Sequence, residues 1–293
     1  MKLVREAIIE IKMGIDKFFC GDYIPIPKDL YTKYFNFRSK LKTNKELSIA
    51  INDSCIEITQ RVSSYNFVTW YYPYQLRYRC LIRYFQGLEW IGKMLARNYK
   101  IDKISLNAGD IVIDCGANVG DLMLYLDGLN LNLNYFGFEP GKLEFKALKK
   151  NVSNNKFNLI PKVINKALGK NNEIKTFYYC PEEADSSLEK PVNYSSSYEV
   201  EVVKLDTFYN ETLQGKKIKL LKLEAEGFEP EVLLGGRTLL KNTEYIAADL
   251  GPERGLTNEC TVAEVTKILQ DEGFSMLHFN HTYTAIFKNM LLV

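Results

Sequence analysis

Residues 112–121 read VIDCGANVGD. Apolar residues run up to Asp114, and Gly116-Ala117-Asn118-Val119-Gly120 then turn the chain tightly into a helical stretch that starts at Asp121. Glycines let the backbone pass close to a ligand. A strand, a glycine turn and a helix in this order mark the central strand of a parallel α/β sheet, whose ligands bind at the carboxyl ends of the strands. The next apolar run, NYFGFEP (134–140), ends in Glu139, 19 residues after Gly120. A carboxylate placed there accepts the hydroxyls of a ribose.

Two cofactors suit that geometry. A dinucleotide needs G-x-G-x-x-G, so that its pyrophosphate rests on the helix N-terminus. Here Asn118 takes the middle position, the third glycine is absent, and Asp121 puts negative charge where phosphate would sit. A cofactor with a cationic centre and no phosphate suits the site better. S-adenosylmethionine is one, with Glu139 on its ribose and Asp114 fixing the loop near the sulfonium end. An ordinary strand-turn-helix with a capping Asn is the competing reading, and the acid downstream speaks against it.

Outward from this motif, short apolar runs alternate with helical patterns from Gly109 to the end. FNLIPKVINKALG (157–169) reads as a third strand. EIKTFYYC (173–180) and YEVEVVKLDTF (198–208) read as added strands around a serine-rich loop, and KKIKLLKLEAEG (216–227) and TEYIAADLG (243–251) as further strands. EPEVLLGGRTLLKN reads as helix, with Pro230 tolerated in its first turn. TVAEVTKILQDEG is a helix with Thr261 as N-cap, Glu264 three residues on and Gly273 after its end. SMLHFNHTYTAIFKN closes the chain as two strands. The alternation predicts an α/β fold, a parallel sheet with helices on both faces and an antiparallel hairpin at one edge.

The first 100 residues read differently, as a mostly helical, aromatic-rich extension. In QLRYRCLIRYFQGLEWIGKML (75–95), Leu81, Tyr84, Phe85, Leu88, Ile91 and Leu95 recur at helical spacing. Before it, YNFVTWYYPYQLRYR (65–79) mixes Tyr and Trp with Arg. Such stretches stack sugars or bases, and more often simply pack. Trp70, Tyr74, Arg79 and Arg83, in the segment from Trp70 to Arg83, are candidate acceptor contacts, which makes the extension an acceptor platform, a lid or a dimerisation element.

In this order the motifs VIDCGANVGD, FGFEP, NKALG, SSL, VVKLDTF and LLKLEAEGFEPEVLLGG resemble the FkbM-type S-adenosylmethionine-dependent methyltransferases, over roughly residues 75–290. The resemblance implies a Rossmann-like, seven-stranded methyltransferase domain over 101–293. It implies methylation of a hydroxyl oxygen, often on sugars of polysaccharides, glycolipids or glycosylated metabolites. Gly116, Ala117, Asn118, Gly120, Asp121, Asn165 and Ala167 then join Asp114 and Glu139 around the cofactor. The resemblance also implies that the segment after ADSSL helps close the site, that Asp206 belongs to the motif, and that the KLEAEG strand end borders the transferred methyl. One position departs from the family, which usually has Asp where this chain has Glu224.

Methyl transfer to a sugar hydroxyl needs positioning and a base. Alternation along an extended strand puts Lys222, Glu224 and Glu226 on one face. Lys222 is expected to pair with Glu224, and the neighbouring strand brings Asp249. Glu226 is the first candidate for the base and Asp249 the second. A divalent metal acidifying the hydroxyl is a less favoured alternative. Holding backbone N–H groups would also explain Glu224 and Glu226, while Glu229 and Glu231 read as helix-start acids. Ser186 and Ser187 are candidate substrate contacts. His278 and His281 read as ordinary histidines.

The 293 residues carry a formal net charge of +2 and are 46% hydrophobic. That charge hides a basic front third and an acidic remainder, so an anionic acceptor is expected, either phosphorylated or nucleotide-linked. The basic residues are too dispersed for a nucleic-acid surface. No apolar run reaches the length of a membrane span, though peripheral contact with a phospholipid surface stays open. The six cysteines are scattered, which reads as free thiols in a cytoplasmic protein. A homo-oligomer is expected. The alternatives are a non-catalytic S-adenosylmethionine-binding scaffold, a methyltransferase of a non-sugar small molecule, or, least in keeping with the glycine pattern, a dehydrogenase.

Overall fold

The structure, a computed structural model, describes residues 28–42, 46–52, 55–61, 67–73, 82–180 and 186–292. The chain divides into two units, Met1–Trp90 and Ile91–Val293.

The first unit contains a helix, α1 (Lys28–Lys42), and, against the mostly helical reading of this region, a three-stranded antiparallel sheet. Its strands are β1 (Leu47–Ile51), β2 (Cys55–Arg61) and β3 (Phe67–Pro73), in the order β1-β2-β3. The aromatic stretch is therefore partly strand, because aromatic and β-branched side chains pack well on a pleated surface. Phe35 of α1 packs against Phe85 with tilted rings 4.9 Å apart, and Tyr72 meets Tyr84 edge-on at 5.8 Å. The helical run read through 81–95 is also broken. A 3-10 turn covers Ile82–Gln86, Gly87 adopts φ 94°, and α2 (Leu88–Asn98) follows. Gln60 Oε1 accepts the Leu88 N–H at 2.7 Å and so satisfies a free donor at the start of α2.

The second unit is built on a seven-stranded sheet. Its chain order begins with β4 (Ile111–Cys115), α3 (Asp121–Asp127), β5 (Asn134–Phe138), α4 (Lys142–Asn154) and β6 (Ile160–Ile164). The run read as one strand over 157–169 is in fact two. β7 (Ala167–Gly169) leaves the main sheet and pairs in parallel with β9 (Ser196–Lys204), which also pairs with β8 (Glu173–Tyr179). Asn165 lies at the break, and its side-chain amide donates to Glu139 O at 2.8 Å. The main sheet continues with β10 (Ile218–Leu223) and, after α5 (Glu229–Leu234), with β11 (Thr243–Asp249). A two-stranded ribbon that the sequence did not signal, β12 (Pro252–Arg254) with β13 (Glu259–Cys260), precedes α6 (Val262–Asp271). The chain ends with β14 (Phe274–Phe279) and β15 (Thr284–Asn289).

The sheet order is β14-β15-β11-β10-β4-β5-β6. β4 pairs in parallel with both β5 and β10, and β15 is antiparallel to both its neighbours. The chain moves outward from β4 to β5 and β6, then returns to place β10 on the other side. The switch point therefore lies between β4 and β10, where ligands of such sheets bind. The interior strands are mostly apolar where helices cover both faces, with Asp114 and Lys222 as buried exceptions. Ile113, Leu220, Leu221, Leu223 and Ile246 have no exposed surface, and each such burial contributes roughly 1.5–3 kcal/mol. Thr261 does stand at the start of α6, but its hydroxyl donates to Glu229 Oε2 at 3.1 Å and makes no helix cap. Among the described residues no helix is long and apolar enough to cross a membrane.

Candidate active site

Two loops face each other at the switch point, one after β4 and one after β10. Gly116 has φ +74°, and a Cβ there would lie 2.0 Å from the Glu224 carbonyl oxygen, so only glycine allows the loops this close. The Glu224 N–H completes the contact by donating to Cys115 O at 3.2 Å.

Beneath the loops lies a buried ion-pair network. The Lys222 ammonium sits 3.0 Å from Asp114 and 2.5 Å from Glu224. It also donates to Gly116 O at 2.8 Å, and Asp114 accepts the Tyr135 hydroxyl at 2.6 Å. The Lys222–Glu224 pair predicted from the sequence is thus one side of a three-membered group, because parallel register sets Lys222 opposite Asp114. Burial works against the ammonium, but the Asp114 and Glu224 carboxylates outweigh it and hold Lys222 charged.

Glu139 directly follows β5 and is buried. Its Oε2 accepts the Asn118 N–H and its Oε1 the Gly141 N–H, each at 2.7 Å. Burial, with the Glu144 carboxylate beside it, pushes Glu139 up to about 8. Asn118 reaches its position with φ 49°, a left-handed conformation that Asn tolerates. Ala117 is buried against the strand ends.

On the other side of the crevice stand Glu224, Glu226, Asp249 and, unforeseen in the sequence, Glu253 and Tyr99. β10 stops at Leu223, so strand alternation does not place Glu226. Glu226 instead adopts φ 50° in a turn anchored on every side. Ser187 Oγ donates to Glu226 O at 2.7 Å, and Arg254 donates to Gly227 O at 2.6 Å while pairing with Glu231. Glu229 Oε1 accepts the N–H groups of Ala225 at 2.8 Å and Gly227 at 3.2 Å. Glu229 is thus a buried brace for the turn, beyond the helix-dipole role its position implied. The Glu226 side chain hydrogen-bonds Glu253, and burial with Asp249 nearby raises Glu253 to about 8. Burial and the Glu224 charge raise Asp249 to about 6. Tyr99 is raised chiefly by burial and hydrogen-bonds Glu224.

The other sequence candidates fall elsewhere. Trp70 has no exposed surface and belongs to the core of the first unit, so it cannot stack on an acceptor. Arg83 is exposed, while Tyr74 and Arg79 lie outside the described residues. Ser186 Oγ accepts the Cys180 N–H at 2.9 Å, and Ser187 holds the Glu226 turn. Ala167 is buried in β7. Asp206 Oδ1 accepts the N–H groups of Thr238 and Leu239, which makes it a helix-start anchor. His278 and His281 are exposed.

This sheet order, with a glycine loop after its central strand and an acid ending the next, defines a seven-stranded methyltransferase-type α/β protein. The methyltransferase FkbM domain matches residues 114–278, more than half of the chain, and the chain belongs to that family of methyltransferases. No curated protein matches it significantly. Among solved structures it is similar to magnesium protoporphyrin IX methyltransferase from Synechocystis PCC 6803 with bound SAM. The identity is 15%, over 70% of this chain and 80% of that one, with a TM-score of 0.41. A SAM dependent methyltransferase from Aquifex aeolicus shares 15% identity over 69% of this chain and 95% of its own, with a TM-score of 0.37.

Proposed function

We propose that this methyltransferase uses S-adenosylmethionine to methylate a sugar hydroxyl, on a surface glycan, a nucleotide-sugar or a glycosylated metabolite, in the cytoplasm. The observation that carries this reading is the pairing of two differently furnished walls at one switch point. One wall offers the buried Glu139 carboxylate, and the other a set of carboxylates that can take a proton.

The residues present fit the cofactor. Each Glu139 oxygen accepts one backbone N–H and keeps a lone pair for a ribose hydroxyl. Lys222 is occupied by Asp114, Glu224 and Gly116, so the loop presents no cation to a pyrophosphate. The partly exposed Glu224 carboxylate and Asp121 give this end of the crevice a negative field, which favours a cationic centre. When bound, S-adenosylmethionine supplies an electrophilic methyl group.

The chain has to orient the acceptor, exclude water and remove a proton. Glu226 is assigned as the base that receives the hydroxyl proton, with Glu253 hydrogen-bonded to it and Asp249 as the second candidate. The acceptor oxygen would give its proton to that carboxylate as it takes the methyl, the S–CH3 bond electrons staying on sulfur to leave S-adenosylhomocysteine, and the carboxylate would keep the proton until solvent takes it. Calorimetry with S-adenosylhomocysteine and with NAD tests the cofactor side. Binding of the first and not the second is expected, with Glu139→Ala abolishing it. Absence of S-adenosylhomocysteine binding would sink the reading.

A further inference from the structure

Glu144 stands beside Glu139 at the end of the sheet. It lies in the first turn of α4. Its Oε1 accepts the Tyr179 hydroxyl at 3.2 Å, while its Oε2 is buried without a hydrogen-bond partner. A Cβ on Gly141 would fall 2.4 Å from Glu144 Oε2 and 2.8 Å from Glu139 Oε1. Glycine at 141 therefore lets the buried Glu139 and the half-buried Glu144 carboxylates sit side by side. A buried acceptor without a donor is unfavourable, and the neighbouring carboxylate adds repulsion. The arrangement is relieved by a ligand that brings hydrogen-bond donors to both groups.

We propose that Glu144 is a second cofactor-binding carboxylate, which with Glu139 receives the two adjacent hydroxyls of a nucleoside ribose, Glu144 Oε2 accepting one of them. This rests on the cofactor reading given above and adds to it a residue and a pH dependence. Glu139 is faced by Glu144 from α4, Tyr135 from β5, Tyr179 from β8, Tyr198 from β9 and Lys222 from β10. Glu144 is faced by Glu139, Tyr179 and Tyr198, and the Lys142 ammonium lies over the Tyr198 ring at 4.1 Å. Burial raises both carboxyls, Glu139 to about 8. Hydroxyl donors favour the ionised forms, so binding weakens as pH falls through that value.

The test is calorimetric titration of the full chain with S-adenosylhomocysteine between about pH 6 and 9, alongside Glu144→Gln and Tyr179→Phe. Wild-type affinity should fall about tenfold or more from the top of that range to the bottom. Glu144→Gln should bind about tenfold more weakly at high pH and show a shallower pH dependence, because the Glu144 charge beside Glu139 is gone while burial still raises Glu139. Removing one ribose hydroxyl from the ligand should cost the wild type more than the variant. A Glu144→Gln protein with wild-type affinity and pH profile overturns the proposal. If that variant does not fold, Tyr179→Phe decides. It should weaken binding by loosening Glu144, and unchanged affinity overturns the proposal. A wild type that binds nothing overturns the cofactor reading itself and this proposal with it.

Discussion

Lys222 holds Asp114 and Glu224 together from the centre of the sheet. Replacing it with methionine leaves Asp114 buried without its counter-charge. Lys222→Met should therefore lose about 3–5 kcal/mol in chemical denaturation, and a loss under about 1 kcal/mol would refute the network's role. Glu226→Gln addresses the chemistry instead. It should keep S-adenosylhomocysteine affinity and cut turnover about 100-fold or more, whereas near-normal turnover would leave Glu226 a turn residue only. Asp114, Glu139, Lys222 and Glu224 were legible in the sequence because each ends or nearly ends an apolar run, and the run fixes where it points. Glu253, Tyr99 and Glu144 were not. They reach the crevice from a short ribbon, from the residue after α2 and from a helix turn, and only the fold makes them neighbours of Glu226, Glu224 and Glu139. Trp70 misled because an aromatic beside arginines has the same composition whether it faces a ligand or fills a core.

The two facing loops are the elements on which the site depends. Gly116→Ala combines a positive φ with a Cβ 2.0 Å from a backbone carbonyl, which no side-chain rotation relieves. It should cost more than about 1 kcal/mol of stability and displace the Glu224 turn, so that thermal melting and cofactor affinity fall together. Wild-type values for both would contradict the close packing of the loops. The main-sheet strands were legible because a buried parallel strand is a short apolar run with glycine or charge at its ends. The strands β1 to β3 were hidden in a region dense in aromatics, which suit helix and strand alike at short range. NKALG looked continuous with the strand before it, and only pairing with β9 shows that the chain changes sheets at Asn165. Strand alternation was extended too far at Glu226, because nothing local announces that β10 ends at Leu223.

Across the molecule, carboxyl groups collect at the carboxyl ends of the strands, and several prefer their protons. Glu139 and Glu253 are held near 8, Asp249 near 6, and Glu144 is raised. Their unfolded counterparts release protons at ordinary carboxylate values, so between those values and about 8 the folded state binds more protons. Stability must then fall as pH rises through that window. The melting temperature without cofactor should be several degrees lower near pH 8.5 than near pH 6, and a rise would show that these carboxyls are not raised in the fold. The central claim, methyl transfer to a sugar hydroxyl from the crevice between β4 and β10, is tested most directly by product analysis. The chain is incubated with methyl-labelled S-adenosylmethionine and a pool of nucleotide-sugars and extracted glycans, and the sugars are resolved by mass. The account predicts a labelled methyl ether on one sugar hydroxyl, lost in Glu226→Gln and in Glu139→Ala. Label on no sugar, from a protein that binds S-adenosylhomocysteine, would contradict it.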